Sequence, residues 1–125
     1  MAEPKTTRVS VPHPIPERLA ELMADRFRAL AEPTRLRLLD SLRGGEATVG
    51  ELVEAIGSSQ QNVSKHLGLM LREGLVDRRR EGNRSYYSIA DPAIFDLCEH
   101  VCGGLSRKAG AVEELLEPTP VAVAR

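Results

Sequence analysis

A chain of 125 residues with 42% hydrophobic content has room for one folded domain and little more. Only Phe27, Phe95, Tyr86 and Tyr87 are aromatic, so the core must be aliphatic, and so small a core commonly gains stability by pairing with a second copy. The net charge of -1 excludes a uniformly basic surface, and no apolar run is long enough to cross a bilayer.

The N-terminal stretch, Met1 to Pro16, carries four prolines and no hydrophobic secretory core. Residues 1–15 therefore read as a flexible arm, in a protein expected to be cytoplasmic with no membrane partner. Pro16 suits a first helical turn, where its missing N–H costs nothing. Leu19, Leu22, Met23, Phe27 and Leu30 then recur at three- and four-residue steps, which predicts an amphipathic first helix. Glu32-Pro33 breaks it. A second helix is expected from Pro33 to about Leu42, with Leu36, Leu39 and Leu38 inward and Arg35 and Arg37 more exposed. Gly44-Gly45 ends it.

Thr48-Val49-Gly50-Glu51 has the capping-box pattern, a hydroxyl followed three residues later by a carboxylate. It opens a short third helix through Leu52, Val53 and Ile56, closed by Gly57. Ser58 or Ser59 caps a fourth helix, and Ser58 with Gln61 offers a second capping box. Helix, short Gly-containing turn, helix is the spacing of a helix-turn-helix. On the fourth helix Val63, Leu67, Met70 and Leu71 can anchor one side, while Gln61 and Lys65 point nearly opposite, flanked by Asn62, Ser64 and Gly68. Amides, hydroxyls and a cation on one exposed helix face suit the base edges and phosphates of DNA. A solvated polar face is the plain alternative.

Gly74 ends the fourth helix. Leu75 to Arg80 and Arg84 to Ile89 read as two strands joined by Glu81-Gly82-Asn83. Asp91 is placed as the cap of a last helix and Pro92 at its first position, followed by an apolar stripe of Ile94, Leu97, Val101, Leu105, Val112 and Leu116 that Gly103-Gly104 interrupts and could bend. Residues 117–125 read as a loose tail. Charge is unevenly shared. Ser58 to Ser88 holds six cations and three acids, for +3, whereas Ile89 to Arg125 holds three cations and six acids, for -3. A locally basic surface beside an acidic C-terminal part would direct a polyanion to one face.

Taken together, the pieces resemble the ArsR/SmtB family of bacterial winged-helix transcriptional repressors. The resemblance rests on Ala29-Leu30-Ala31-Glu32-Pro33-Thr34-Arg35-Leu36-Arg37-Leu38-Leu39, on Gln60 through Leu67, on Gly74-Leu75-Val76, and on Arg80-Glu81-Gly82 to Tyr86-Tyr87, in register. It implies a mainly α fold with a two-stranded β-wing, in α-α-α-α-β-β-α order, over residues 16–116. It also implies a homodimer joined through the first and last helices, on double-stranded DNA with a palindromic operator, released by an inducer that is often a metal ion. Matching positions place Gln60, Gln61, Asn62, Ser64, Lys65 and His66 in the recognition helix, with His66 toward its side and better suited to a backbone contact or packing than to base reading. Arg78, Arg79, Arg80 and Arg84 fall in the wing, gripping phosphates or entering a minor groove.

Two inducer sites of the family are missing. Its Cys-x-Cys pair at the third helix reads Thr48-Val49-Gly50 here. Its Asp and His ligands on the last helix keep only Asp91, the histidine positions reading Ala93, Gly104 and Arg107. The only cysteines, Cys98 and Cys102, lie four apart and could together hold a soft metal ion or arsenite, or respond to oxidation; as plain alternatives, Cys98 is a small core residue and Cys102 lies at the stripe's edge. His100 falls on another bearing, so a third ligand would come from elsewhere, such as His13 or a dimer mate. An internal disulfide is disfavoured, because Cβ atoms four apart on a helix sit about 5–6 Å apart and a bridge needs about 3.5–4.5 Å. An enzyme is not expected: Ser64 and His66 project differently, with no acid completing a triad. A winged-helix protein-interaction module without DNA binding is the competing function.

Overall fold

The computed structural model describes residues 9–108 and 113–116. Residues 1–8 of the arm expected over 1–15, Val112 of the apolar stripe and the expected tail at 117–125 lie outside the described residues. Contacts divide the chain into two compact units, Met1–Asp91 and Pro92–Arg125, a division that falls inside the stretch read from sequence as one domain.

In the first unit, α1 (Glu17–Leu30) follows Pro16 and stops before the Glu32-Pro33 pair. α2 (Pro33–Ser41) begins at that proline, and the Glu32 carboxylate caps it by accepting the backbone N–H groups of Thr34 and Arg35 at 2.7 and 3.2 Å. A short 3-10 turn, Leu42–Gly44, follows. The inward side of α2 differs from expectation: Leu38 and Leu39 are buried, but Leu36 is exposed and Arg35 is half-buried. Arg35, Leu38, Leu39 and Leu42 form the i, i+3, i+4, i+7 series that fixes a helix face, and Leu36 stands off it.

β1 (Ala47–Thr48) leads into α3 (Val49–Ile56), where the expected capping box forms in full. Thr48 Oγ1 accepts the Glu51 N–H, and the Glu51 carboxylate accepts the Thr48 N–H. Gly57 closes α3 at φ +70°, a left-handed conformation that costs glycine little. α4 (Gln60–Arg72) is capped by Ser59, whose Oγ accepts the Asn62 N–H at 3.1 Å. The Ser58–Gln61 capping box is not formed; Ser58 Oγ instead accepts from the Asn62 side-chain amide at 2.9 Å.

β2 (Val76–Glu81) and β3 (Arg84–Ile89) pair antiparallel around a Gly82-Asn83 turn, with Gly82 at φ +64°. The two-stranded wing forms as expected, and its sheet gains a short third strand that was not expected, in the order β1-β3-β2, because Ala47 and Thr48 pair with Tyr87 and Tyr86. Two residues are too short a run to show alternation, yet the pairing gives the hairpin a body to lean on. The core is aliphatic. Leu38, Leu39, Leu52, Val63, Leu67, Met70 and Val76 are all fully buried.

In the second unit, α5 (Ile94–Arg107) starts later than expected. Ala93 occupies the cap position without a side-chain bond, displacing Asp91 from that role, and Pro92 lies in a preceding turn whose carbonyl accepts the Phe95 N–H. The helix runs unbroken through Gly103 and Gly104 to Arg107, and a 3-10 turn follows at Glu113–Leu115. None of its residues is buried, and Val101 and Leu105 are exposed. No helix among the described residues is long and apolar enough to cross a membrane.

Candidate nucleic-acid interface

The helix-turn-helix pair α3–α4 divides its surface sharply. Val63, His66, Leu67 and Met70 of α4 are buried, again at i, i+3, i+4, i+7. Gln60, Gln61, Ser64 and Lys65 are exposed. Ser59, Gln61, Asn62 and Lys65 line an open groove of about 490 Å³ beside the start of the helix. Asn62 is half-buried, and one of its amide donors is committed to Ser58. The free donors and acceptors facing outward therefore come mainly from Gln61, Ser64 and Lys65.

His66 departs from the set expected to meet DNA. It is 6% exposed and sits between α4 and the cap of α2. Its Nδ1 lies 3.1 Å from Arg35 Nη1, and its Nε2 lies 3.8 Å from the Glu32 carboxylate. Burial pushes the imidazole below its usual range, the nearby Glu32 charge working the other way and Arg35 and Lys65 reinforcing it. Burial also opposes charge on Glu32, but the two N–H donors of its cap and the neighbouring His66 and Arg35 outweigh it, and the carboxyl titrates below the ordinary range.

The wing sorts its arginines by strand alternation. Arg79 shares a face with Tyr86 and lies over its ring, 4.6 Å from the centroid. It donates to both Glu46 oxygens, at 3.1 and 2.7 Å, and to Glu81 at 3.1 Å. That fork holds the Glu46 carboxyl below its usual range and the guanidinium above its own. Arg79 is thus a clasp between the wing and the loop before β1, not the open phosphate grip expected of it. Arg78 and Arg80 fall on the opposite face, and both are exposed. Arg84 is exposed at the start of β3 and lines a groove of about 680 Å³ with Thr48, Val49, Gly50, Glu51, Glu54, Asn83 and Ser85. Glu51 and Glu54 make that groove itself a poor seat for a phosphate, so Arg84 serves an anion only by reaching outward. Tyr87 is buried and Tyr86 half-buried, as alternation requires.

Cys98 and Cys102 both lie on α5 outside any disulfide, Cys98 half-buried and Cys102 exposed. Among the described residues no three His, Cys, Asp or Glu side chains gather as a metal would need.

Sequence and structure comparisons agree with this arrangement. Residues 30–79 match a helix-turn-helix domain model. The chain is 49% identical over 71 residues to a probable mercury resistance operon repressor of Streptomyces lividans, a match spanning 57% of each protein. It is 40% identical over 86 residues to a Synechocystis sp. protein named a transcriptional repressor SmtB homolog, covering 69% of this chain and 65% of that one. A solution structure of a homodimeric winged helix-turn-helix DNA-binding domain from Mycobacterium bovis, described as a possible ArsR-family regulator, superposes with a TM-score of 0.65 at 32% identity, over 78% of this chain and 97% of that one. With the capped helix pair, the wing and these likenesses in hand, the chain belongs to the ArsR/SmtB family of winged helix-turn-helix transcriptional regulators.

Proposed function

We propose that the chain is a cytoplasmic, homodimeric repressor that inserts α4 into the major groove of a palindromic operator. The carrying observation is the two-sided character of α4: one side is consumed by the protein's own core, while Gln61, Ser64 and Lys65 face outward. Gln61 can bond an adenine edge in a bidentate way, and Lys65 a guanine or a phosphate. Gln60 and Ser64 lie beside them, and Asn62 contributes its remaining polar atoms. Arg78, Arg80 and Arg84 supply backbone attraction from the wing, which sets register more than sequence. Two copies related by a twofold axis would read half-sites about one helical turn apart, or a multiple of it.

Release follows from an inducer at Cys98 and Cys102, whose shared helix face suits a soft cation or arsenite, with a further ligand from outside that face. The Streptomyces lividans relative, named for mercury resistance, is consistent with soft-ion chemistry.

The test is a titration of the reduced chain against duplexes it selects from a random pool and against unselected duplex, at several salt concentrations. A preference for selected sequence that outlasts the general loss of affinity with salt supports the reading. Equal binding to every duplex leaves only charge attraction and overturns it. Binding to a protein partner, with none to duplex, would favour the interaction-module alternative. Repeating the titration with mercuric ion, arsenite and a mild oxidant tests the inducer. Unchanged affinity, or an identical response from Cys98→Ser and Cys102→Ser, removes the thiols from the mechanism.

A further inference from the structure

The polar members of the two inward-facing stripes, Arg35 on α2 and His66 on α4, meet each other inside the first unit. Arg35 does more than touch His66. Its Nε donates to the Ala29 carbonyl at 2.6 Å, and its Nη2 to the Arg28 carbonyl at 3.1 Å. Both carbonyls belong to the last turn of α1, where carbonyls run short of intrahelical donors; Arg28 O also accepts the N–H of the capping Ala31 at 3.2 Å. One guanidinium therefore binds the end of α1, sits on α2, and spends its remaining fork on the buried side of α4.

A guanidinium can only donate, so Nδ1 must accept, and a single imidazole state meets that demand: neutral, with the proton on Nε2. We infer that Arg35 and His66 are positioning residues for sequence reading, fixing the seat of α4 against α1 and α2 only while His66 is neutral. Proton uptake places N–H on the nitrogen that faces Arg35, and donor then opposes donor at 3.1 Å. The charged groups facing the ring are Glu32 from the cap of α2, Arg35 from α2 and Lys65 from α4 itself. Arg28 and Asp25 of α1 pair with each other. Glu32 alone favours the cation, at 3.8 Å and already engaged with two backbone N–H groups.

The direction of the pH effect follows. With the folded imidazole titrating below the ordinary 6.5, the unfolded chain takes up a proton first as pH falls. Stability and the α4 seat are thus complete at neutral pH and decline as pH drops below about 6.5. Non-specific attraction to phosphates does not need that seat, so discrimination falls while general binding persists.

This inference rests on the operator-reading proposal, and the experiment separates the two. Nitrogen-15 spectra of the full chain without DNA at about pH 7.5 should show Nε2 protonated and Nδ1 bare. A proton on Nδ1 overturns the pair. Discrimination between selected and random duplex is then followed from about pH 7.5 to 5.5 at fixed ionic strength. The native chain should lose about tenfold or more of its discrimination. His66→Asn, whose amide oxygen sits near the Nδ1 position and does not titrate, should hold discrimination level across the range, with Arg35→Lys weakened at every pH. Parallel profiles for the native chain and His66→Asn, or a pH-independent native chain, overturn the positioning role. A native chain that shows no discrimination at neutral pH, with the expected tautomer intact, overturns the DNA reading instead.

Discussion

Two helices of nearly equal length, α4 with 13 residues and α5 with 14, meet opposite fates. Both carry an apolar stripe. That of α4 is spent within the chain: Val63, Leu67 and Met70 are fully buried. That of α5 is not, since none of its residues is buried and Val101 and Leu105 stand exposed. A helix whose apolar side is consumed at home can offer its polar side to an outside ligand, because its orientation no longer depends on that ligand. A helix whose apolar side is left open asks for apolar company, and in the proposed homodimer a second copy would supply it.

The comparison can be broken first at α4. Leu67→Ala should lower the unfolding free energy by about 2–5 kcal/mol, read from the urea midpoint, because it removes a fully enclosed side chain from a small aliphatic core. A change well below that would mean the seat of α4 is not fixed by its apolar side. At α5 the expected outcome is of another kind. Val101→Glu should leave the core of the first unit unaltered and turn the proposed dimer into monomers in sedimentation. Affinity for a two-half-site duplex should fall by about 100-fold or more as simultaneous engagement is lost. A dimer that survives this charge would move the interface elsewhere.

Much of this contrast was legible in the sequence, for reasons particular residues make plain. Thr48 and Glu51 announce their capping box because both halves are local. Gly57 and Pro33 mark their boundaries by backbone conformation alone. The reach of α5 was less readable: its apolar spacing continues past Arg107, and spacing cannot say where the hydrogen-bonded ladder stops. β1 was invisible, because Ala47 and Thr48 become a strand only through pairing with Tyr86 and Tyr87, about forty residues away. The candidate site shows the same divide. Outward placement of Gln61 and Lys65 follows from helical angle. The loss of His66 to the interior and of Arg79 to Glu46 depends on long-range partners. One signal was available: Arg35 and His66 each complete an i, i+3, i+4, i+7 series with buried leucines, valine and methionine, and a polar residue in such a series is a candidate for an internal pair.

The finest division lies within the proposed interface, between reading and gripping. Gln61→Ala removes two hydrogen-bonding groups that the proposed reading aims at one base pair. It should cost about 1–3 kcal/mol of discrimination at that position while binding to random duplex barely changes. Arg84→Ala removes one cation from the wing. It should weaken binding to all sequences alike and reduce the slope of log affinity against log salt by about 1. The two effects are of similar size in total affinity, so only the pair of measurements, base preference and salt slope, separates them. Equal and sequence-blind losses from both variants would mean that α4 contributes charge and bulk rather than reading. The wing result also bears on Arg79. Its guanidinium is already spent on Glu46 and Glu81, so its removal should leave the salt slope closer to the native value than removal of Arg84 does.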